Sequence, residues 1–324
     1  MNQARRLGVV LSTVTDATVS EMVGLGQLAE THGYDAVLVN EGRGDALATS
    51  QAIASATTTI RVGTNIANIY FRHPFLCAAT ARTIAEISSG RLLLGLGISH
   101  RGLLASLGIE MGDARRVLRD YALAVRNGLD GRVTQGFLNP RPSPHPVPVY
   151  LAGNTVESAA VAGAVGDGLM PFLTPREHLP ALIAAARQAR AAAGGDPATF
   201  GCCLSIPTFV SDDVAAARSA ARYNLAFFAQ LPNYRRQWRR AGFGAAMDTV
   251  RAAWQGGDRR EAARHIPDAL VEQVCVFGPP AECRARLDAF RAAGADLPVI
   301  AVSPVNDDRI GATRKALAAL SPRE

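Results

Sequence analysis

Short apolar runs alternate with longer alanine-rich segments along most of the chain, and this alternation restricts the fold more than any other feature. Several runs are apolar throughout, which is typical of parallel strands buried on both faces. The segments between them carry helical patterns, such as Val19–Thr31 and Pro74–Ile87. The eight predicted strands are Leu7–Leu11, Ala36–Val39, Ile60–Thr64, Leu92–Leu96, Val149–Leu151, Gly168–Met170, Cys202–Val210 and Val299–Val302.

Eight strand–helix repeats predict an α/β fold, a (β/α)8 TIM barrel, and the 324 residues suit one such domain over residues 1–324. A doubly wound open sheet is the rival, because periodicity does not separate the two. The segment Asp212–Ile266 is too long for one crossover and forms an insertion after strand seven. Helix breaks are predicted near Leu231-Pro232-Asn233 and Gly256-Gly257. The insertion is either a lid or pocket wall, or a packing layer or dimer surface.

Composition excludes several classes of protein. The net charge is +6, but the arginines are scattered and form no basic run, so we expect no nucleic-acid partner. No apolar run approaches the roughly 20 residues of a membrane span, and the apolar part of the amino terminus is too short for a signal peptide. The five cysteines form no CxxC pair and no zinc spacing, so no metal site is predicted. These features predict a reducing, cytoplasmic location with no membrane contact.

The residues that follow the predicted strands are mostly polar, and they lie at the end of a barrel where chemistry takes place. Their convergence there predicts a site for a small-molecule substrate and its cofactor. In chain order they are Thr13, Asn40, Glu41, Thr64, Asn65, Ser99, His100, Gly153, Asn154, Thr155, Phe172 and Thr174.

Glu41 directly follows the buried run AVLVN. A carboxylate in that position is partly desolvated, which would raise its pKa and suit it to proton exchange near neutrality. The alternative is a structural ion pair with a nearby arginine such as Arg43.

His100 follows the glycine-rich run LLLGLGIS. Histidine is the side chain best suited to proton transfer near pH 7, so His100 is the second catalytic candidate. A purely structural histidine is the alternative.

Gly153-Asn154-Thr155 lies between the fifth strand and a helix. Free N–H groups at a helix start bind anions, so this turn is a candidate phosphate site. Ordinary capping by Asn154 or Thr155 is compatible with that role.

Four stretches together resemble the luciferase-like monooxygenase superfamily, and in particular its deazaflavin-dependent branch. The likeness is carried by their combination and order, and it is weakest at 200–275. The stretches are GYDAVLVNEGRGDALA (33–48), IRVGTNIAN (60–68), SGRLLLGLGISHRG (89–102) and VPVYLAGNTVESAAVAGAVGDGLMP (147–171).

The resemblance implies a barrel with an insertion, a homodimer, and coenzyme F420 as cofactor, with FMN as the alternative. It implies a cis peptide bond at Asn65–Ile66 behind the cofactor ring and a phosphate held near Gly153 and Asn154. It places Asn40 and Glu41 against the reacting ring. The sugar-phosphate dehydrogenases of the branch carry glutamate where this chain has His100, so the substrate is expected to differ.

Two classes of function remain. The first is an oxidoreductase that transfers a hydride between coenzyme F420 and a small organic substrate, with Glu41 or His100 handling the proton. An FMN-dependent monooxygenase or reductase is its variant, and the cofactor decides between them. The second class is a non-catalytic ligand-binding barrel.

Overall fold

Eight parallel strands close into a barrel in the computed structural model, which describes residues 6–132 and 141–323. The strand order is β10-β1-β2-β3-β5-β6-β7-β8, and β10 pairs with β8 to complete the ring. The open-sheet alternative is therefore wrong, and the TIM barrel is confirmed. The strands are β1 (Gly8–Ser12), β2 (Ala36–Asn40), β3 (Arg61–Thr64), β4 (Ala67–Asn68), β5 (Leu92–Gly97), β6 (Val149–Ala152), β7 (Gly168–Met170), β8 (Gly201–Val210), β9 (Val276–Gly278) and β10 (Leu297–Val302).

The helices surround the barrel, and the predicted helix at Val19–Thr31 has the bounds that the sequence indicates. Thr18 caps this helix, and Glu21 returns a hydrogen bond to it. The helices are α1 (Val19–Thr31), α2 (Ala46–Ala56), α3 (Pro74–Ile87), α4 (Arg101–Ser106), α5 (Ala114–Leu129), α6 (Val156–Val165), α7 (Leu179–Ala192), α8 (Val214–Phe228), α9 (Pro232–Trp238), α10 (Gly244–Gln255), α11 (Arg259–Arg264), α12 (Asp268–Val274), α13 (Pro280–Ala292) and α14 (Arg309–Ala319).

Two short strands lie outside the eight that were predicted. β4 pairs only with β5, and β9 pairs with the end of β8 at Thr208–Val210. Neither interrupts the barrel. With two and three residues they are too short for an alternating pattern to reveal them.

The insertion after strand seven, residues 212–266, contains four α-helices, α8 to α11, where two or three helical pieces were predicted, and α12 follows it. The predicted breaks are confirmed, because α9 begins just after Leu231 and Gly257 adopts a positive φ between α10 and α11. The insertion has its own apolar core around the fully buried Trp238, and Leu173 of the loop after β7 belongs to that core.

The inside of the barrel is filled by small and medium apolar side chains. Leu38, Leu93, Met170, Cys203 and Val299 pack there as one cluster. A larger apolar cluster fills the space between the strands and the helices. The barrel interior is therefore a packed core, and its ends are where a ligand can bind. None of the helices within the described ranges is long and apolar enough to cross a bilayer.

Candidate active site

The ends of β1 and β2 are locked together by two of the predicted site residues. The Thr13 N–H donates to Asn40 Oδ1 at 3.1 Å, and Thr13 Oγ1 donates to the Asn40 carbonyl at 3.0 Å. Thr13 is buried and Asn40 is half-buried. These contacts fix the direction in which the chain leaves the barrel toward Glu41.

The segment after β3 carries the predicted cis peptide bond, which the structure places at Asn65–Ile66. Thr64 is fully buried and binds β5 through its hydroxyl, which donates to the Gly95 carbonyl at 2.7 Å and accepts from the Gly95 N–H at 3.0 Å. The amide nitrogens Nδ2 of Asn65 and Asn68 are buried and have no hydrogen-bond partner among the described residues. Unpaired buried donors are rare in proteins, so these two indicate a place for a ligand with acceptor groups.

Close packing behind this segment leaves no room for a side chain at Gly97. A Cβ added there would lie 2.6 Å from Cγ1 of Ile66 and 3.1 Å from Cβ of Ala152. Glycine at this position therefore allows Ile66 to lie directly over the end of β5.

Glu41 is buried, with a side chain 2% exposed, and it pairs with Arg72. Its Oε2 accepts from Arg72 Nη1 at 3.1 Å, and its Oε1 accepts from Arg72 Nη2. The suggested partner Arg43 instead pairs with Asp16 on the exposed surface. The ion-pair alternative from the sequence is thus realised, but with a different arginine.

His100 lies between β5 and α4, directly after Ser99, whose φ of +57° turns the chain at the strand end. Its Nδ1 is buried without a partner among the described residues, and its side chain does not cap α4. Burial lowers the pKa of His100, so the ring is neutral at pH 7. A neutral imidazole with an unused nitrogen can accept or donate a proton.

The turn after β6 contacts the loop after β7. Asn154 Oδ1 accepts from the Phe172 N–H at 2.9 Å and from Thr174 Oγ1 at 3.4 Å. Thr155, not Asn154, caps α6, because its Oγ1 accepts from the Ser158 N–H at 3.2 Å. Gly153 is tightly packed, since a Cβ there would lie 2.8 Å from Ser158 Oγ.

Charged groups lie around the amino end of α6. Hydrogen bonds from Thr155 and from its own backbone N–H, together with the charges of Arg115 and Arg240, hold the pKa of Glu157 below its usual value. The N–H groups at this helix end and the positive end of the helix dipole favour a negative charge there.

Helix α9 of the insertion holds the loop after β7. Trp238 Nε1 donates to the Leu173 carbonyl at 3.0 Å, and Gln237 Nε2 donates to Thr174 Oγ1 at 2.9 Å. The ring of Tyr234 makes edge-to-face contacts with the rings of Phe172 and His100, with ring centroids 5.8 Å and 5.7 Å apart, respectively. The insertion is thus part of the wall of the site.

The predicted residues fall into two sets on either side of β5. Those after β1, β2 and β3 form one set and those after β6 and β7 the other, with Ser99 and His100 between them. Sequence reasoning missed Asn68, Arg72, Tyr234 and Gln237. Asn68 could have been predicted, because it ends the stretch IRVGTNIAN. The other three lie on segments whose position relative to the barrel cannot be predicted from the sequence pattern.

A cavity of about 230 Å³ opens at the opposite end of the barrel, among the amino ends of the strands. Arg6, Arg61, Asp35 and Asp296 balance one another in charge there, and each aspartate already accepts a backbone N–H. This end of a TIM barrel serves stability, so we assign the chemistry to the carboxyl end. Within the described ranges no group of three or more His, Cys, Asp or Glu side chains could hold a metal ion.

Comparisons with known proteins agree with the geometry. A Mycobacterium tuberculosis protein, whose name assigns it to the coenzyme F420-dependent oxidoreductases, is 28% identical over 309 residues, covering 84% of this chain and 88% of the relative. The F420-dependent tetrahydromethanopterin reductase of Methanopyrus kandleri has the same fold, with a TM-score of 0.82, 18% identity and coverage of 98% and 97%. The oxygenating component of 3,6-diketocamphane monooxygenase from Pseudomonas putida, solved with FMN, gives a TM-score of 0.69 at 16% identity, again covering 98% and 97%.

The family model described as luciferase-like monooxygenase matches residues 6–297, which is most of the chain. The barrel, the cis bond after β3 and the insertion are the features that the sequence resemblance implied. The chain belongs to the luciferase-like monooxygenase family.

Proposed function

We propose that this protein is an oxidoreductase that transfers a hydride between coenzyme F420 and a small organic substrate. One observation carries the proposal: Asn65 Nδ2, Asn68 Nδ2 and His100 Nδ1 are buried on neighbouring strand ends and have no hydrogen-bond partner within residues 6–132 and 141–323. Asn68 pairs with Gly97 in the sheet, and His100 follows three residues later. The name of the Mycobacterium tuberculosis relative supports F420 in particular.

The residues present fit a deazaflavin. Its ring carries carbonyl oxygens, and the free amides of Asn65 and Asn68 are donors that can bind them. The N–H groups in the first turn of α6 can hold the phosphate beside Gly153 and Asn154. When bound, the deazaflavin supplies two-electron hydride chemistry.

The chain's own residues then account for the rest of the reaction. His100 is neutral at pH 7 and handles the proton that accompanies hydride transfer, because Nδ1 is free. Phe172 and Tyr234 provide an apolar wall that excludes water. Thr13 and Asn40 hold the β1 and β2 ends in place.

An FMN-dependent monooxygenase or reductase is the second candidate. The fold shared with the FMN-bound Pseudomonas putida enzyme favours it, since the same free donors also fit a flavin ring. Both cofactors carry the same carbonyl oxygens on the ring edge that the donors would bind, so these donors fit either cofactor.

A titration of the purified protein with coenzyme F420 and with FMN, followed by fluorescence, tests the proposal. We expect F420 to bind, and Asn65→Asp, which removes the donor, to weaken binding by about tenfold. Asn127→Asp on the exposed face of α5 is the matched control and leaves binding unchanged. Binding of FMN alone would favour the second candidate, and binding of neither would favour a non-catalytic ligand-binding barrel.

A homodimer is part of the same proposal. Phe71, Phe75 and Leu76 are exposed around the start of α3 and form an apolar patch that a second copy could cover. Sedimentation at micromolar concentration should give a molar mass twice that of the chain. Leu76→Glu should shift the measured mass toward that of a single chain.

A further inference from the structure

Glu41 has no free acceptor capacity in this structure. Its Oε2 accepts from the Asn68 N–H at 2.5 Å and from Arg72, and its Oε1 accepts from the Ala46 N–H at 3.3 Å and from Arg72. A carboxylate offers about four lone-pair sites, so all of them are used. A buried carboxylate engaged in this way is an anchor rather than an open proton acceptor.

The Glu41 carboxylate replaces a missing strand. The pairing of β2 with β3 ends at Val39 and Thr64, after which the chain crosses to pair as β4 with β5. The Ile69 N–H donates to the Gly97 carbonyl of β5, so the preceding N–H, that of Asn68, points to the other side. In the part of the chain that the structure describes, no strand continues there, and Glu41 accepts from this N–H instead.

Glu41 holds the same segment at a second point. Its own N–H donates to the Ile66 carbonyl at 3.2 Å, while the Asn65 N–H donates to the Val39 carbonyl at 2.8 Å. The backbone from Ile66 to Asn68 is therefore fixed from the β2 side at both ends. The free amides of Asn65 and Asn68 are attached to this fixed segment.

Arg72 makes the buried carboxylate tolerable. Its side chain is 9% exposed and also lies 3.2 Å from Asp45, which caps α2. Burial alone lowers the pKa of Arg72, but the hydrogen bond and charge of Glu41 and the charge of Asp45 together raise it. The Tyr121 hydroxyl donates to the Arg72 carbonyl at 3.1 Å and ties the arginine to α5.

We propose that Glu41 is a positioning residue: with Arg72 as its counter-ion, it fixes the segment Ile66–Asn68 and thereby aims the Asn65 and Asn68 amides at the cofactor ring. This inference rests on the proposed function and deepens it. It assigns the proton to His100 and a purely geometric role to Glu41.

A variant that removes the charge of Glu41 alone, compared with one that removes the charges of both Glu41 and Arg72, distinguishes a positioning role of Glu41 from a role in proton transfer. Glu41→Gln leaves Arg72 beside a neutral amide, with the exposed Asp45 as its remaining counter-ion, so we expect F420 affinity and kcat/KM to fall together by about tenfold or more. The double variant Glu41→Gln/Arg72→Met removes the stranded charge and should recover most of both values, with an unchanged pH profile of kcat. Glu86→Gln, which breaks an exposed pair with Arg82, is the matched control and should change nothing.

Hydrogen exchange measured by mass spectrometry reports on the segment without any cofactor. Exchange over residues 64–72 should accelerate in Glu41→Gln and slow again in the double variant. If Glu41→Gln is too unstable to purify, Arg72→Lys keeps the charge, loses the second donor and should give a smaller effect of the same kind.

Two results would overturn the inference. In the first, the double variant binds F420 like the wild type, but its kcat stays at least about 100-fold lower and the pH profile of kcat changes. That result would make Glu41 a proton carrier. The other is unchanged exchange over residues 64–72 in Glu41→Gln. If the wild type binds neither F420 nor FMN, the proposed function fails, whereas the exchange experiment still decides whether Glu41 fixes the segment.

Discussion

Gly163 in α6 gives a prediction in which two opposing effects can be weighed. In an exposed helix, Gly→Ala stabilises a protein by about 0.5–1 kcal/mol, because glycine has more backbone freedom to lose on folding. A Cβ on Gly163 would lie 1.9 Å from the carbonyl oxygen of Ala186 and 2.7 Å from its carbonyl carbon, both in the backbone of α7. A backbone contact cannot be relieved by turning a side chain.

The two helices must move apart by more than about 1 Å to admit the methyl group, which forfeits at least roughly a quarter to a half of the dispersion attraction at each facing atom pair. Overpacking of this kind costs about 1–3 kcal/mol or more, so it outweighs the gain in helix propensity. We expect Gly163→Ala to lower the free energy of unfolding by about 2 kcal/mol. It should also weaken cofactor binding, because α6 carries the Gly153-Asn154 turn at its amino end.

Gly24→Ala is the matched control, since Gly24 lies inside α1 and has no atom within 4 Å of its added Cβ. It should raise the free energy of unfolding by about 0.5–1 kcal/mol. Urea denaturation followed by far-UV circular dichroism measures both variants, provided that the m-values stay equal. Gly163→Ala as stable as Gly24→Ala would refute the packing argument.

Three further predictions concern residues around the site. Thr64→Val leaves the Gly95 N–H and carbonyl without their partner and should lower the free energy of unfolding by about 2–4 kcal/mol, measured by urea denaturation; a loss well under 1 kcal/mol would contradict it. Trp238→Phe removes one of the two hydrogen bonds to the Leu173 carbonyl and should cost about 0.5–1.5 kcal/mol in a thermal melt, with activity falling as the loop loosens. Burial lowers the pKa of His100 below its usual 6.5. As the pH falls below 6.5, the native state therefore binds fewer protons than the unfolded chain, and the free energy of unfolding should fall. In thermal melts from pH 7 to pH 5, His100→Gln should show a smaller loss of stability than the wild type.

Strand ends and helix caps could be predicted from the sequence because they depend on local rules. The run AVLVN gave β2, and Asp113 and Thr155 mark the starts of α5 and α6 as N-caps. The ring of polar residues after the strands also follows from the fold alone, since parallel strands deliver their carboxyl ends to one face.

Partners across the barrel could not be predicted, because they depend on tertiary distances. Arg43 is two residues from Glu41, yet its side chain is exposed and pairs with Asp16. Arg72, 31 positions away, is brought to Glu41 by the crossing of β4 to β5. In the same way Asn154 could cap α6 but binds the Phe172 N–H, because β6 and β7 are neighbours in the sheet.

The insertion is better described as a fixed wall than as a lid. Its helix α9 donates two side-chain hydrogen bonds to the Leu173 carbonyl, from Trp238 at 3.0 Å and from Gln237 at 3.3 Å, and all three residues are buried. Leu173 has a φ of +55°, a conformation that costs a leucine free energy and persists only where the surroundings fix it. Opening the insertion would break these bonds and expose an apolar core, which favours a fixed wall over a moving lid. The selectivity of the enzyme should therefore follow the shape of this wall, in which Tyr234 touches His100 directly.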